Sequence, residues 1–323
     1  MKVRRVVLTR PLERDSICSL MFAKILAKCC FSQDCGESFS MNHANIQARF
    51  IAAGLSRLLK DIDFIARPSI RLSATPVAES TLKMGVSKLG GHPDLPPAVL
   101  WPEWQGLAQS FIAQICLDEV HPYDIDNMLP PRGMLWFFYD AKQQTFGSDP
   151  NDLGGWRVIF RENDLSHLER MQAPTQQPAS SQFHACSLSF ASEISLSQQP
   201  ALEIPHFDWT DTEVEQYEKL LATFPNPAEH AMIHHRLLGN PDTLQDDMRL
   251  QCQLVSHGIT EIQDPRVAQL AQDAMDWQLL LQIDSDEHAG MRWANNGMLY
   301  YWINKADLQA AQFDRTWLVL QSE

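Results

Sequence analysis

Apolar residues recur at helical spacing from Asn42 to Lys60. Ile46, Phe50, Ile51, Leu55, Leu58 and Leu59 share one side of the wheel, and Arg49, Arg57 and Lys60 lie elsewhere on it. The pattern predicts an amphipathic helix, and Pro68 ends that segment. From there the period shortens. Ser69–Pro76 is short and β-like through Ile70 and Leu72, and Phe111–Leu117 reads as a strand beyond the proline-rich loop Pro93–Trp101. Gly133–Asp140 does not alternate, which marks a strand buried on both faces. Trp156–Glu162 does alternate, setting Trp156, Val158 and Phe160 against Arg157, Ile159 and Arg161, as a half-buried antiparallel strand should. Phe183–Ile194 returns to β character. Asp211 and Thr212 are placed to cap a helix running to Phe224, and Asp264-Pro265 starts another reaching Met275. Trp277–Asp284, Gly297–Asn304 and Thr316–Gln321 are strands, with a short helix over Ala306–Gln312. Short connections and few βαβ units predict an α+β fold with a largely antiparallel sheet and flanking helices.

Three blocks of this pattern occur twice, in the same order. Lys88-Leu89-Gly90-Gly91-His92-Pro93-Asp94-Leu95 returns as Arg236-Leu237-Leu238-Gly239-Asn240-Pro241-Asp242-Thr243-Leu244. Phe111-Ile112-Ala113-Gln114-Ile115 returns as Leu279-Leu280-Leu281-Gln282-Ile283, and Gly133–Tyr139 as Gly297–Ile303. The order predicts an internally duplicated turn–strand–strand unit packed against its copy. Gln172–Ser181, rich in Gln, Pro, Ala and Ser, is the candidate linker. The expected organisation is therefore an extension over 1–40, a helix plus first half over 41–171, the linker at 172–181, and a second half over 182–323.

Composition narrows the function. A formal charge of -14 disfavours nucleic acid and anionic membranes, whose partners need Lys and Arg. The first 40 residues depart from this, with seven Lys/Arg against four Asp/Glu. Their best apolar run, Ser16–Ala23, is short, and Lys24 and Lys28 break the apolar character after it. No secretory signal is therefore expected, and an over-long start-site assignment is. Seven cysteines, an odd number without paired C-x-x-C spacing, fit reduced thiols in a cytoplasm better than a disulfide scaffold or a zinc site.

The chain resembles the YwqG-like family of uncharacterised bacterial proteins. The resemblance rests on Ser87–Pro93 with Trp101-Pro102, on Phe111–Ile115 and on Gly133–Asp140. In the second half it rests on His235–Asp242 with Gln245, Asp247 and Met248, on Leu279–Asp286, on Leu299–Ile303 and on Trp317–Gln321. It runs from about Leu72 to the C-terminus, implies a soluble intracellular duplicated α+β fold, and implies no established activity. In the family pattern the counterpart of Trp293 is followed by Gly-Asp. Here Ala294-Asn295 stands there, which removes the acidic group from that loop.

Turn chemistry explains the repeated Gly, Pro and Asp, since glycine reaches positive φ and Asp caps nearby N–H groups. It does not explain the repeated cation. Lys88 with Asp94, and Arg236 with Asp242, either brace the turns as ion pairs or line a pseudo-symmetric cleft for a polar ligand. Gln114 and Gln282 sit inside apolar strands, where an amide must be hydrogen-bonded, either to the preceding turn or to a ligand. Asp284 and Asp286 lie in an acidic turn that fails the calcium-loop pattern. His230, His234 and His235 are expected on a helix, exposed, and no metal is expected. There is no G-x-S-x-G, P-loop or G-x-G-x-x-G motif, and no cofactor is expected. The sequence thus points to a non-catalytic cytoplasmic module that binds a protein partner or a small polar ligand between its halves. The alternative is a hydrolase or transferase using Asp94 or Asp284 as base and Lys88 or Arg236 as electrostatic stabiliser.

Overall fold

Ten segments satisfy their backbone groups in one antiparallel sheet: β1 (Ala66–Pro76), β2 (Lys88–Leu89), β3 (Ser110–Cys116), β4 (Met134–Tyr139), β5 (Trp156–Arg161), β6 (Cys186–Leu196), β7 (His235–Leu237), β8 (Trp277–Asp284), β9 (Met298–Asn304) and β10 (Trp317–Gln321). The computed structural model describes residues 43–163, 165–230 and 232–322, so the expected extension over 1–40 lies outside the described residues. The strand order is β10-β9-β8-β7-β1-β6-β2-β3-β4-β5. At its centre β1 and β6 pair without a break from Ala66↔Leu196 to Pro76↔Cys186. One arm, β7 to β10, continues outward from β1, and the other, β2 to β5, continues outward from β6. The early strand β1 therefore carries the late arm, and the later strand β6 carries the early arm.

The sheet curls until its arms meet. Phe137 on β4 packs edge-on against Tyr301 on β9 at 5.1 Å, and Trp156 on β5 packs against Trp317 on β10 at 4.9 Å. The Trp156 indole donates to the Thr316 carbonyl at 2.8 Å, tying the two edge strands together. The main core fills the concave face with Ile70, Leu72, Leu89, Leu135, Leu237, Leu281, Leu299 and Leu318. A second core lies outside the sheet, where α1 (His43–Ala52) and α2 (Asp211–Leu221) bury Ile46, Phe50, Trp209, Tyr217 and Leu220 against Leu196. A third, built on Leu95, Val99, Trp136 and Phe138, is covered by the proline-rich loop. Among the described residues no helix is long and apolar enough to cross a membrane.

Several sequence expectations are corrected. The helix predicted over 42–60 stops at Ala52, because Gly54 takes φ +78° and the Gly54 and Leu55 amides bond back to the Ile51 and Phe50 carbonyls, a Schellman ending. A 3₁₀ turn, Ser56–Asp61, follows it. Pro68 ends nothing: it lies inside β1, on the stretch before pairing with β7 begins at Ile70, where a missing N–H is tolerated. The α2 cap is Thr210, which exchanges bonds with Glu213 in a capping box, so Asp211 is already helical.

In each arm a bulge precedes a buried glutamine: register shifts between Phe111 and Ala113 in β3, and between Leu279 and Leu281 in β8. Gln114 then stands opposite Lys88, and Gln282 opposite Arg236. Gly90 and Leu238 follow the two short strands at φ +57° and +59°. A Cβ on Gly90 would lie 2.3 Å from the His184 carbonyl oxygen, whereas Gly106, at φ +78°, has nothing within 4 Å. Gly106→Ala should therefore cost about 1 kcal/mol, the ordinary penalty for an L-residue in the left-handed region. Gly90→Ala should cost clearly more, read as a lower urea midpoint at unchanged slope. Equal losses would contradict the steric account.

Candidate functional site

Lys88 has no exposed surface, and a buried ammonium must be matched by charge and hydrogen bonds. Its Nζ lies 3.1 Å from Glu79 Oε1 and 3.4 Å from Asp94 Oδ1. Asp94, equally buried, also accepts from Arg170 Nε at 2.8 Å, the Gly85 N–H at 2.9 Å and Gln114 Nε2 at 3.0 Å. Burial pushes the Asp94 carboxyl up, but Arg170, Gly85, Lys88 and Gln114 outweigh it and hold it below its usual range. Burial also lowers Lys88, against the opposing pull of Asp94 and Glu79. Glu79 in turn accepts from the His92 N–H at 2.9 Å and the His92 ring at 2.6 Å. Lys88 and Arg170 each lie within 4 Å of both Glu79 and Asp94, so every charge of the cluster is paired. As a general base, Asp94 is sealed from solvent with four donors around it.

Gln114 explains how the turn is held. Its Oε1 accepts the Asp94 N–H at 2.8 Å, and its Nε2 donates to the Val86 carbonyl at 2.7 Å as well as to Asp94. Gln282 makes the same set: the Asp242 N–H at 2.8 Å, the His234 carbonyl at 2.8 Å and Asp242 Oδ2 at 2.9 Å. Both side chains use their amide fully, clamping turn to strand. The carbonyls of Asp94 and Asp242 accept from Trp136 Nε1 at 2.9 Å and Tyr300 OH at 2.6 Å.

Around Arg236 the surroundings differ. Arg71 on β1 stands directly opposite Arg236 on β7, a like-charge pairing that repels. Glu193 on β6 bridges them, taking Arg71 Nε at 2.6 Å and Arg236 Nε at 2.8 Å. Arg236 NH1 reaches Asp242 Oδ2 at 2.7 Å, and the His234 ring reaches the same oxygen at 3.0 Å. Burial opposes ionisation of Glu193 and Asp242, but Arg236, with Arg71 beside Glu193 and His234 beside Asp242, holds both carboxyls down and Asp242 far down. Burial lowers the His234 proton affinity, and the bond to Asp242 more than reverses it.

This second cluster opens onto a cavity of about 290 Å³. Arg71, Glu193, His234, Arg236 and Asp242 line it together with the apolar Leu196, Leu221, Phe224 and Pro225. That volume lies at the lower edge of the range for small-molecule sites.

Of the sequence candidates, Arg236 and Asp242 line this cavity. Gln282 touches it through Asp242, while Lys88, Asp94 and Gln114 form the closed cluster. Asp284 and Asp286 are engaged with backbone: Asp284 accepts the His234 N–H, and Asp286 those of His288 and Ala289. Among the described residues no three His, Cys, Asp or Glu converge as a metal site. The expected exposed histidine helix is corrected. His230 ends a single turn, Pro227–His230, whereas His235 is buried on β7, accepting the Asp284 N–H and facing Asp286 at 3.4 Å. Sequence reading missed Glu79, Arg170, Arg71 and Glu193. Arg71 and Glu193 carried a signal, as charges on the polar parity of two otherwise uncharged strand centres.

The His234–Asp242 bond makes stability depend on pH with a defined sign. A proton affinity raised above the usual 6.5 in the folded state adds stability below that value, and the gain is lost as pH rises through the raised one. The difference in unfolding free energy between wild type and His234→Gln should therefore be larger at mildly acidic than at alkaline pH. Parallel pH profiles from urea melts would contradict it.

No curated protein matches this chain. Residues 87–322 match the family described as Domain of unknown function (DUF1963), which takes in every strand of the sheet after β1, most of the cavity lining and both clusters apart from Glu79 and Arg71, and the chain belongs to that family.

Proposed function

We propose that this protein is a non-catalytic module, a YwqG-like member of its family, that binds a small polar ligand in the cavity over Arg236 and Asp242. The observation that carries the reading is the difference between the two clusters. Each has a cation, an Asp and a Gln in the same relation, yet the Lys88 cluster is closed by Arg170 and Glu79 while the Arg236 cluster borders about 290 Å³ of open space. A pair needed for bracing alone has no use for that space. We read the arms as copies of one unit, 41–171 and 182–323 joined by 172–181, supported by the matching registers Lys88↔Gln114 and Arg236↔Gln282. On that reading one copy kept the brace and the other turned it into a site where β1, β6 and β7 meet. A concave cavity of this size suits a small molecule better than a protein surface, and the module would work in the cytoplasm.

The test is release of a bound molecule. Protein purified from its own cells, then denatured and filtered, should yield a small molecule by mass spectrometry. Ala222→Trp, at an exposed position lining the cavity, should yield none while keeping the wild-type near-ultraviolet circular dichroism. Identical filtrates from a folded variant and the wild type would contradict the proposal.

A further inference from the structure

The cavity's own hydrogen-bonding balance says what kind of molecule fits it. Two of its three carboxylates are already engaged: Glu193 takes both arginine Nε groups, and Asp242 takes Arg236, His234 and Gln282. Its donors are not used up. Arg71 bonds through Nε, and its NH1 and NH2 have no hydrogen-bond partner among the described residues. Arg236 bonds through Nε and NH1, and its NH2 has none. Neither arginine appears among the side chains with polar atoms both buried and unpartnered, so these N–H groups reach open space, and both residues line the cavity. A cationic ligand would have to compete with two fixed guanidinium groups for carboxylates they already hold. A neutral one could take the free N–H groups only through an uncharged oxygen, a weaker bond than an anion makes. An anion with two oxygens in a plane meets the fork of Arg71 directly. Besides His234, the remaining ionisable side chains in the lining are Glu218 and His230, both exposed, where solvent screens any charge. Leu196, Leu221 and Phe224, also in the lining, offer apolar surface to the rest of the molecule.

We infer that the cavity binds a small organic carboxylate, its head on the terminal nitrogens of Arg71 and Arg236 and its apolar body against Leu196, Leu221 and Phe224. The inference rests on the reading of this cavity as a ligand site and adds the chemical class.

The test is calorimetric titration of the full chain with hexanoate and phenylacetate, and with hexylamine and hexanol as matched controls. The carboxylates should bind saturably, and at least about tenfold tighter than the amine or the alcohol, the worth of one charge-assisted hydrogen bond. Arg71→Gln should lose that preference and Arg71→Lys should keep part of it, since the charge stays while the fork is lost. Should Arg71→Gln fail to fold, Ala222→Trp decides, because filling the cavity must abolish hexanoate binding. Amine or alcohol binding as tightly as carboxylate, carboxylate binding that survives Ala222→Trp, or no carboxylate binding at all would overturn the inference. A released native molecule that is neutral or cationic would also overturn it while leaving the ligand site standing. A wild type that releases nothing and binds nothing sinks both.

Discussion

A cation in the middle of a sheet has to be answered on every side, and that requirement organises the regions flanking the central ladder. β2 has two residues and β7 three, yet each joins the central β1–β6 pair to a whole outer arm. So short a ladder supplies few backbone hydrogen bonds. The side chains supply the rest: Gln114 and Gln282 reach from the next strand to both ends of the turn, and Lys88 and Arg236 reach from the short strand to the Asp that closes it. Removing one partner of such a buried pair costs about 3–5 kcal/mol, because the survivor keeps its desolvation penalty. The bulges that set the two glutamines, the positive φ at Gly90 and Leu238, and the indole and phenol that cap the Asp carbonyls all serve this arrangement.

The same arrangement tolerates two different surroundings. Around Lys88, Glu79 and Arg170 complete a closed network, and Glu79 also secures the turn through the His92 N–H. In the other arm the Asn240 N–H is taken by the Ser195 hydroxyl at 2.7 Å, so no carboxylate is needed at the turn. The acid there is Glu193, placed between two arginines that face each other across the ladder. Two cations sharing one bridging carboxylate keep unused N–H groups, and the end of α2 stands back far enough to leave a cavity over them. On the proposed reading, these are the donors that would hold a ligand.

Much of the fold could be read from the chain because its signals are local. The unbroken apolar run at Gly133–Asp140 and the alternation at Trp156–Glu162 became β4 and β5 nearly residue for residue. A lone amide among apolar neighbours, Gln114 or Gln282, announced a hydrogen-bonding duty, and Lys88 and Arg236 were the residues turn chemistry left unexplained. What the chain concealed are partners far apart in sequence. Arg170 reaches Asp94 across 76 residues, and Glu193 reaches Arg236 across 43. The crossing of β1 and β6 between arms has no local signature, and neither does the pocket it creates. Local rules also misled where a single residue overrode the period, as Gly54 did in the first helix and Pro68 did within β1.

The central claim is that one cluster is a closed brace and the other an open site. Hydrogen–deuterium exchange on the full chain, with and without the small-molecule fraction of its own cell extract, tests it most directly. The account predicts that added protection falls on peptides covering residues 190–198, 218–226 and 234–243, and that those covering 84–95 exchange as before. Protection centred on 84–95, or no change in the three cavity segments, would contradict it.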